Sequence, residues 1–174
     1  EIKRDKNVEA TIHRDFQYVL SVSEKKINQK MYAMAEEMRD AFPSPDTETE
    51  EKTRGLDLIL SKNPLLAHAF IYDAEKGFLF RSQPGQMTDP NLRQESERSN
   101  EMFGGWFGLD GKMLCDVMRE KSPPVTWYGD QVKRPTGYAY MTTALFAFPE
   151  LSRNRTVFGG VSFDPDYLKL TFFP

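Results

Sequence analysis

Between about Asp15 and Phe42 the apolar positions are Phe16, Leu20, Ile27, Met31, Met34, Met38 and Phe42, with steps of 4, 7, 4, 3, 4 and 4. Such steps place them on one stripe of a helix. Glu24, Lys25, Lys26, Gln29, Glu36 and Glu37 fall on the opposite side. A helix of about 28 residues spans roughly 40 Å at 1.5 Å per residue, longer than a typical domain helix. The narrow stripe is partly that of a coiled coil. Part of it is expected to pack on its own domain and the rest to pair with a second copy, through Phe16, Leu20, Ile27, Met31 and Met34.

The stretch "PSPD" at 43–46 ends this pattern, and "DTETEEKTRGLDLILSKNP" opens a second helix. Thr47 and Glu50 have the spacing of a capping box, and Leu56, Ile59 and Leu60 form its buried side. Gly55 weakens it by about 1 kcal/mol relative to Ala, and Pro64 stops it. Two strand-like runs follow, "AHAFIYD" and "FLFRS", joined by Ala74-Glu75-Lys76-Gly77. A connection of that length with a terminal Gly suits a hairpin on a type I turn.

Asp89-Pro90 supplies an N-cap before a proline at the first helical position. The segment "NLRQESERSNEMF" then reads as a polar, exposed helix, and "FGGWFG" at 103–108 as a flexible turn. A shorter helix is expected after it, with Met113, Leu114, Val117 and Met118 inward. Three strands complete the pattern: "VTWYG", "GYAYMTTALFAF" and "TVFGGVSF", the first two linked by "DQVKRPT". In the middle strand neither alternate set carries a charge, so both of its faces are expected to be covered. Asp164-Pro165 repeats the cap-then-proline signal and starts a terminal helix, which Pro174 kinks or ends. The sum is an α+β domain built on a five-stranded antiparallel sheet.

Composition narrows the partners. The 174 residues are expected to form one domain, with 1–45 as the long helix and 46–174 as the core. A formal charge of −3 argues against nucleic acid or an anionic membrane face as the main partner. The single cysteine, Cys115, excludes an internal disulfide and lies among apolar neighbours, as an inert core thiol does. No apolar run approaches the roughly 18–20 residues needed to span a bilayer, and no secretory segment opens the chain. The absence of an initial Met points to an excised piece of a longer protein.

Catalytic chemistry is hard to find. The two histidines, His13 and His68, are far apart in sequence, and no cluster of metal-ligand spacing exists. No GxSxG, Walker or dinucleotide motif occurs, and the glycines of 103–108 lack a following Lys-Ser/Thr. Asp164 and Asp166 flank a proline at a helix start, where capping accounts for both. The fragment is therefore expected to be non-catalytic and to need no cofactor or metal. A polar-aromatic set remains: Trp127, Tyr128, Tyr138 and Tyr140 on the later strands, Arg81 at the end of the second, and Asp130 and Arg134 in a connection. Rigid aromatics with polar tips suit a pocket that orients a small ligand, or else fill space under the helical insert.

Taken together, "AFIYDAEKGFLFRS", "VTWYGDQ", "YAYMTTALFAFPE" and "VFGGVSFDPDYLK" resemble the extracytoplasmic PAS-like sensor domains, PDC or Cache, of bacterial membrane receptors. The likeness runs from about Phe16 to Leu170, with the strand-Asp then Tyr-Leu close at Val157 to Leu168 as its most specific part. It implies strand order 2-1-5-4-3, a helical insert between strands 2 and 3, and terminal helices continuing into transmembrane helices outside the fragment. It also implies a periplasmic location, a homodimer through the N-terminal helix, and a signalling output, commonly a histidine kinase of a two-component system. A small ligand, often an organic acid or amino acid, would bind the sheet face under the insert, with Trp127, Tyr128, Tyr138 and Tyr140 as the matching positions and Arg81 nearby. Two other readings stay open: a dimerising or protein-interaction module without a ligand, and a cytoplasmic PAS- or GAF-like regulatory domain.

Overall fold

A computed structural model describes residues 2–121, 124–134, 137–148 and 154–164. Helix α1 runs from Ile2 to Ala41, well upstream of the start that the apolar stripe suggests. Residues up to Met34 form one unit and those from Ala35 a second. The side chains of Phe16, Leu20 and Ile27 lie outside the described residues; Met31 and Met34 are half-buried. The expected terminal helix, including Asp166 and Pro174, also lies outside them.

In the second unit, α2 spans Thr49–Lys62. Its N-cap is Glu48 rather than Thr47, and no side chain caps it. The Thr47 hydroxyl donates instead to the Ser44 carbonyl at 2.8 Å, so the capping-box spacing is spent on closing the turn before the helix. Gly55 has a steric reason: a Cβ there would sit 2.9 Å from the Pro43 ring, so only glycine lets the linker pass this closely.

The sheet comprises β1 (Leu66–Asp73), β2 (Gly77–Ser82), β3 (Val125–Arg134), β4 (Gly137–Ala147) and β5 (Val157–Phe163). Every pairing is antiparallel and the order is β2-β1-β5-β4-β3. This α+β arrangement is compatible with a PAS-like fold. The β1–β2 hairpin turns where the sequence places it. Asp73 Oδ1 accepts from the Glu75 amide at 2.9 Å, and Gly77 takes a φ of 98° that a residue with a Cβ rarely adopts.

Between β2 and β3 the chain departs from the pattern-based reading. Helix α3 is continuous from Pro90 to Arg119, with Asp89 Oδ1 accepting from the Asn91 amide at 2.8 Å as its cap. The stretch 103–108 is helical, not a turn. Glycine disfavours a helix by about 1 kcal/mol per residue, but here packing outweighs that preference. Phe103 and Phe107 are buried against Phe70, 5.0 and 5.4 Å away between ring centroids. The helix also lies close enough to the sheet that a Cβ on Gly111 would come within 2.6 Å of the Tyr72 ring. Continuity resets the helical phase: Leu114, Cys115 and Met118 point inward, whereas Met113 and Val117 are exposed.

Alternation along the strands divides the core into two layers. Phe70, Phe78, Phe158 and Leu145 pack beneath α3. The other face meets α2 and the end of α1, where Phe42 stands edge-on to Phe146 at 4.7 Å. Both faces of β4 are covered over Met141–Ala147, as its uncharged pattern demands. Before that point Tyr138 and Tyr140 are exposed, by 70% and 63%.

Candidate functional site

Strand β3 is longer than its sequence pattern suggests. Asp130 and Arg134 belong to the strand, because the register with β4 continues through Asp130–Met141 to Arg134–Gly137. The strand therefore carries polar residues beyond the end of the sheet's closed core, and alternation assigns each to a face. Tyr128, Asp130 and Val132 face α3; Trp127, Gly129 and Gln131 face away. Ring contacts bear this out. Tyr128 meets Trp106 of α3 edge-on at 4.8 Å, while Trp127 lies 5.7 Å from Phe163 in the opposite layer.

These placements enclose a cavity of about 320 Å³ between α3 and the β3–β4 edge. Met102, Phe103 and Trp106 form its helical side, and Tyr128, Asp130, Met141 and Thr143 its sheet side, with the Gly129 backbone at the rim. Thr143 and Ser162 share a hydrogen bond of 2.9 Å at the buried end. Burial raises the Tyr128 phenol above its ordinary pKa, against a hydrogen bond with Thr126, so it stays protonated at neutral pH. Asp130 is exposed at the mouth, and its Oδ1 accepts from the Gln131 amide at 2.7 Å. No lysine, arginine or histidine lines the cavity among the described residues.

The five residues that sequence and resemblance point to are split by the sheet. Tyr128 alone lines the cavity. Tyr138 and Tyr140 belong to the β4 set that faces away from α3; the Tyr140 ring lies across Gly129, where a Cβ could not fit. Arg81 also faces away from α3. Its Nε and Nη2 donate to the two carboxylate oxygens of Asp57 on α2 at 2.7 and 3.0 Å, which ties the hairpin to that helix. Met102 escapes sequence reading because its segment reads as a polar, exposed helix, and Phe103 and Trp106 because the glycine-rich stretch 103–108 suggests a turn rather than a wall. A helical phase of 102, 103 and 106 was the available signal.

A larger groove of about 770 Å³ runs between the end of α1 and α2, past Met38, Pro43 and Leu58. Glu37, Glu51, Arg54 and Lys62 ring it with charges of both signs, and no aromatic side chain among the described residues lines it. It lacks the rigid walls that fix a small molecule. Elsewhere, three polar side chains run under α3: His68 Nδ1 and the Ser82 hydroxyl lie 3.2 Å apart, and Ser82 shares a hydrogen bond with Ser96. Cys115 is buried with its Sγ 3.5 Å from the Val157 carbonyl oxygen, and burial pushes its thiol pKa up. No group of three potential metal ligands occurs among the described residues, and no described helix is long and apolar enough to cross a membrane.

Comparison of the chain with protein-family profiles and with curated protein sequences yields no match.

Proposed function

We propose that this chain is the signal-sensing domain of a bacterial membrane receptor, of the extracytoplasmic PAS-like kind, with a two-component histidine kinase as its output. It binds a small molecule between α3 and β3–β4 and passes occupancy on through its terminal helices. The observation that carries this reading is the aromatic-walled cavity beside the sheet, under a helix inserted between β2 and β3. A cavity of that size holds one small organic molecule, and no constellation for bond-breaking accompanies it among the described residues. Signalling requires the ligand to bind two states of the domain unequally. Here α3 is the natural moving part, because it supplies one wall and the sheet supplies the other. Association through α1, with Met31 and Met34 on the shared stripe, completes the reading.

A thermal-shift screen against organic acids, amino acids, amines, sugars and divalent ions tests it. A ligand at about 100 times its dissociation constant adds roughly 2.7 kcal/mol, which moves the midpoint by about 5–10 °C in a domain of this size. The shift is expected to disappear in Tyr128→Leu and to survive in Tyr140→Ala, on the opposite face. A screen with no hit shifts the weight to a module that works through α1 and a protein partner.

A further inference from the structure

We propose that the cavity takes a small organic cation, a quaternary ammonium or a protonated amine with a compact apolar body. This rests on the reading of the cavity as a ligand site and names its ligand class. Charge decides it first. Asp130 is the one charged side chain that lines the cavity among the described residues, and it makes no ion pair with another of them. An anion placed there would face a carboxylate with no lysine or arginine among the described lining residues to offset it. A cation gains attraction across the same gap, and the apolar walls keep that attraction from being fully screened.

The walls add a second argument. Trp106 and Tyr128 meet edge to face, at 79° between ring planes, so the two rings form a corner. The negative faces of such rings attract a cation whose charge is spread over methyl or methylene groups. Met102 on the helix and Met141 on the sheet add polarizable side chains to the lining. The deep polar group, the Thr143 hydroxyl, is already engaged with Ser162. The interior therefore offers few hydrogen bonds to a sugar or a carboxylate, and suits a head group that asks for none. The phenol of Tyr128 remains neutral, so it adds no second negative charge and keeps its ring electron-rich.

The test is titration of the 174-residue chain by calorimetry with four probes. Choline and benzyltrimethylammonium are the cations. Dimethylbutanol has the shape of choline with carbon in place of nitrogen, and dimethylbutyrate carries the opposite charge. At least one cation is expected to bind, the neutral isostere about tenfold or more weaker, and the anion not at all. Asp130→Asn, at an exposed position, is expected to weaken the cation about tenfold and leave the neutral isostere unchanged. Trp106→Leu keeps an apolar wall and is expected to abolish the preference for charge. If the anion binds as well as the cations, and Trp106→Leu abolishes it, the cation assignment is overturned while small-molecule sensing stands. If neither cation binds, the assignment is likewise overturned, and the wider screen judges sensing separately.

Discussion

Replacing Gly105 and Gly111 by alanine, one at a time, tests whether α3 is one helix packed hard on the sheet. Both lie inside Pro90–Arg119, so each exchange removes the same backbone-entropy penalty, about 1 kcal/mol per residue. Their surroundings differ. A Cβ on Gly105 meets nothing within 4 Å, so Gly105→Ala is expected to stabilise the domain by close to the full propensity term. A Cβ on Gly111 would lie 2.6 Å from Tyr72 Cε1. That ring cannot retreat freely, since it is held between Phe107 at 5.8 Å and Phe158 at 5.2 Å. Overpacking of this kind costs about 1–3 kcal/mol against a propensity gain of about 1 kcal/mol, so Gly111→Ala is expected to destabilise by up to about 2 kcal/mol. The two variants should then differ by about 1–3 kcal/mol, or some 2–12 °C in midpoint. Urea unfolding measures this, with a common slope m as the check that both unfold the same structure. Opposite signs support the packed continuous helix. If Gly105→Ala loses stability, the segment is not helical, and the wall that Met102, Phe103 and Trp106 form does not exist as described.

Arg155 offers a second test: its Nη2 donates to Asp73 Oδ2 at 2.9 Å and its Nη1 to Asp46 Oδ1 at 2.6 Å. Asp73 is buried, so Arg155→Met strands its carboxylate and is expected to cost about 2 kcal/mol by urea unfolding, partly recovered by adding Asp73→Asn; no loss would remove the pair from the account of stability. The Arg155 hydrogen bond and charge hold the Asp46 carboxyl below its usual 3.8. A folded pKa below the unfolded one adds stability above the unfolded value and loses it as pH falls through the folded one. The stability gap between wild type and Asp46→Asn is therefore expected to be level from about pH 5 to 7 and to close below about pH 4; a gap that persists in stronger acid contradicts the linkage. Met31→Lys with Met34→Lys is expected to give a monomer by sedimentation velocity, and a surviving dimer would move the interface off α1.

The hairpin was legible in the chain itself, because Asp73, the four-residue turn and Gly77 act locally, and Gly77 alone meets the positive φ required there. The Asp89-Pro90 helix start was equally local. Coverage of β4 on both faces followed from its uncharged alternation over Met141–Ala147 but not at Tyr138 and Tyr140, which are exposed, and the α+β class followed from counting such segments. The sheet order came through a family resemblance, since no local pattern encodes which strands become neighbours. The candidate site was far less legible. Four of the five expected residues lie away from the cavity: alternation alone sets Trp127 opposite Tyr128, but which faces of β2 and β4 carry Arg81, Tyr138 and Tyr140 is decided by the strand pairing and by the helices packed on the sheet. The glycines at 104, 105 and 108 invite a turn on propensity, and only the aromatic layer beneath α3, formed by strands distant in sequence, outweighs it. Local preference, worth about 1 kcal/mol per glycine, was thus visible in the sequence. The burial of Phe103 and Phe107, each worth more than that penalty, depends on side chains from β1, β2 and β5 that only the folded chain brings together.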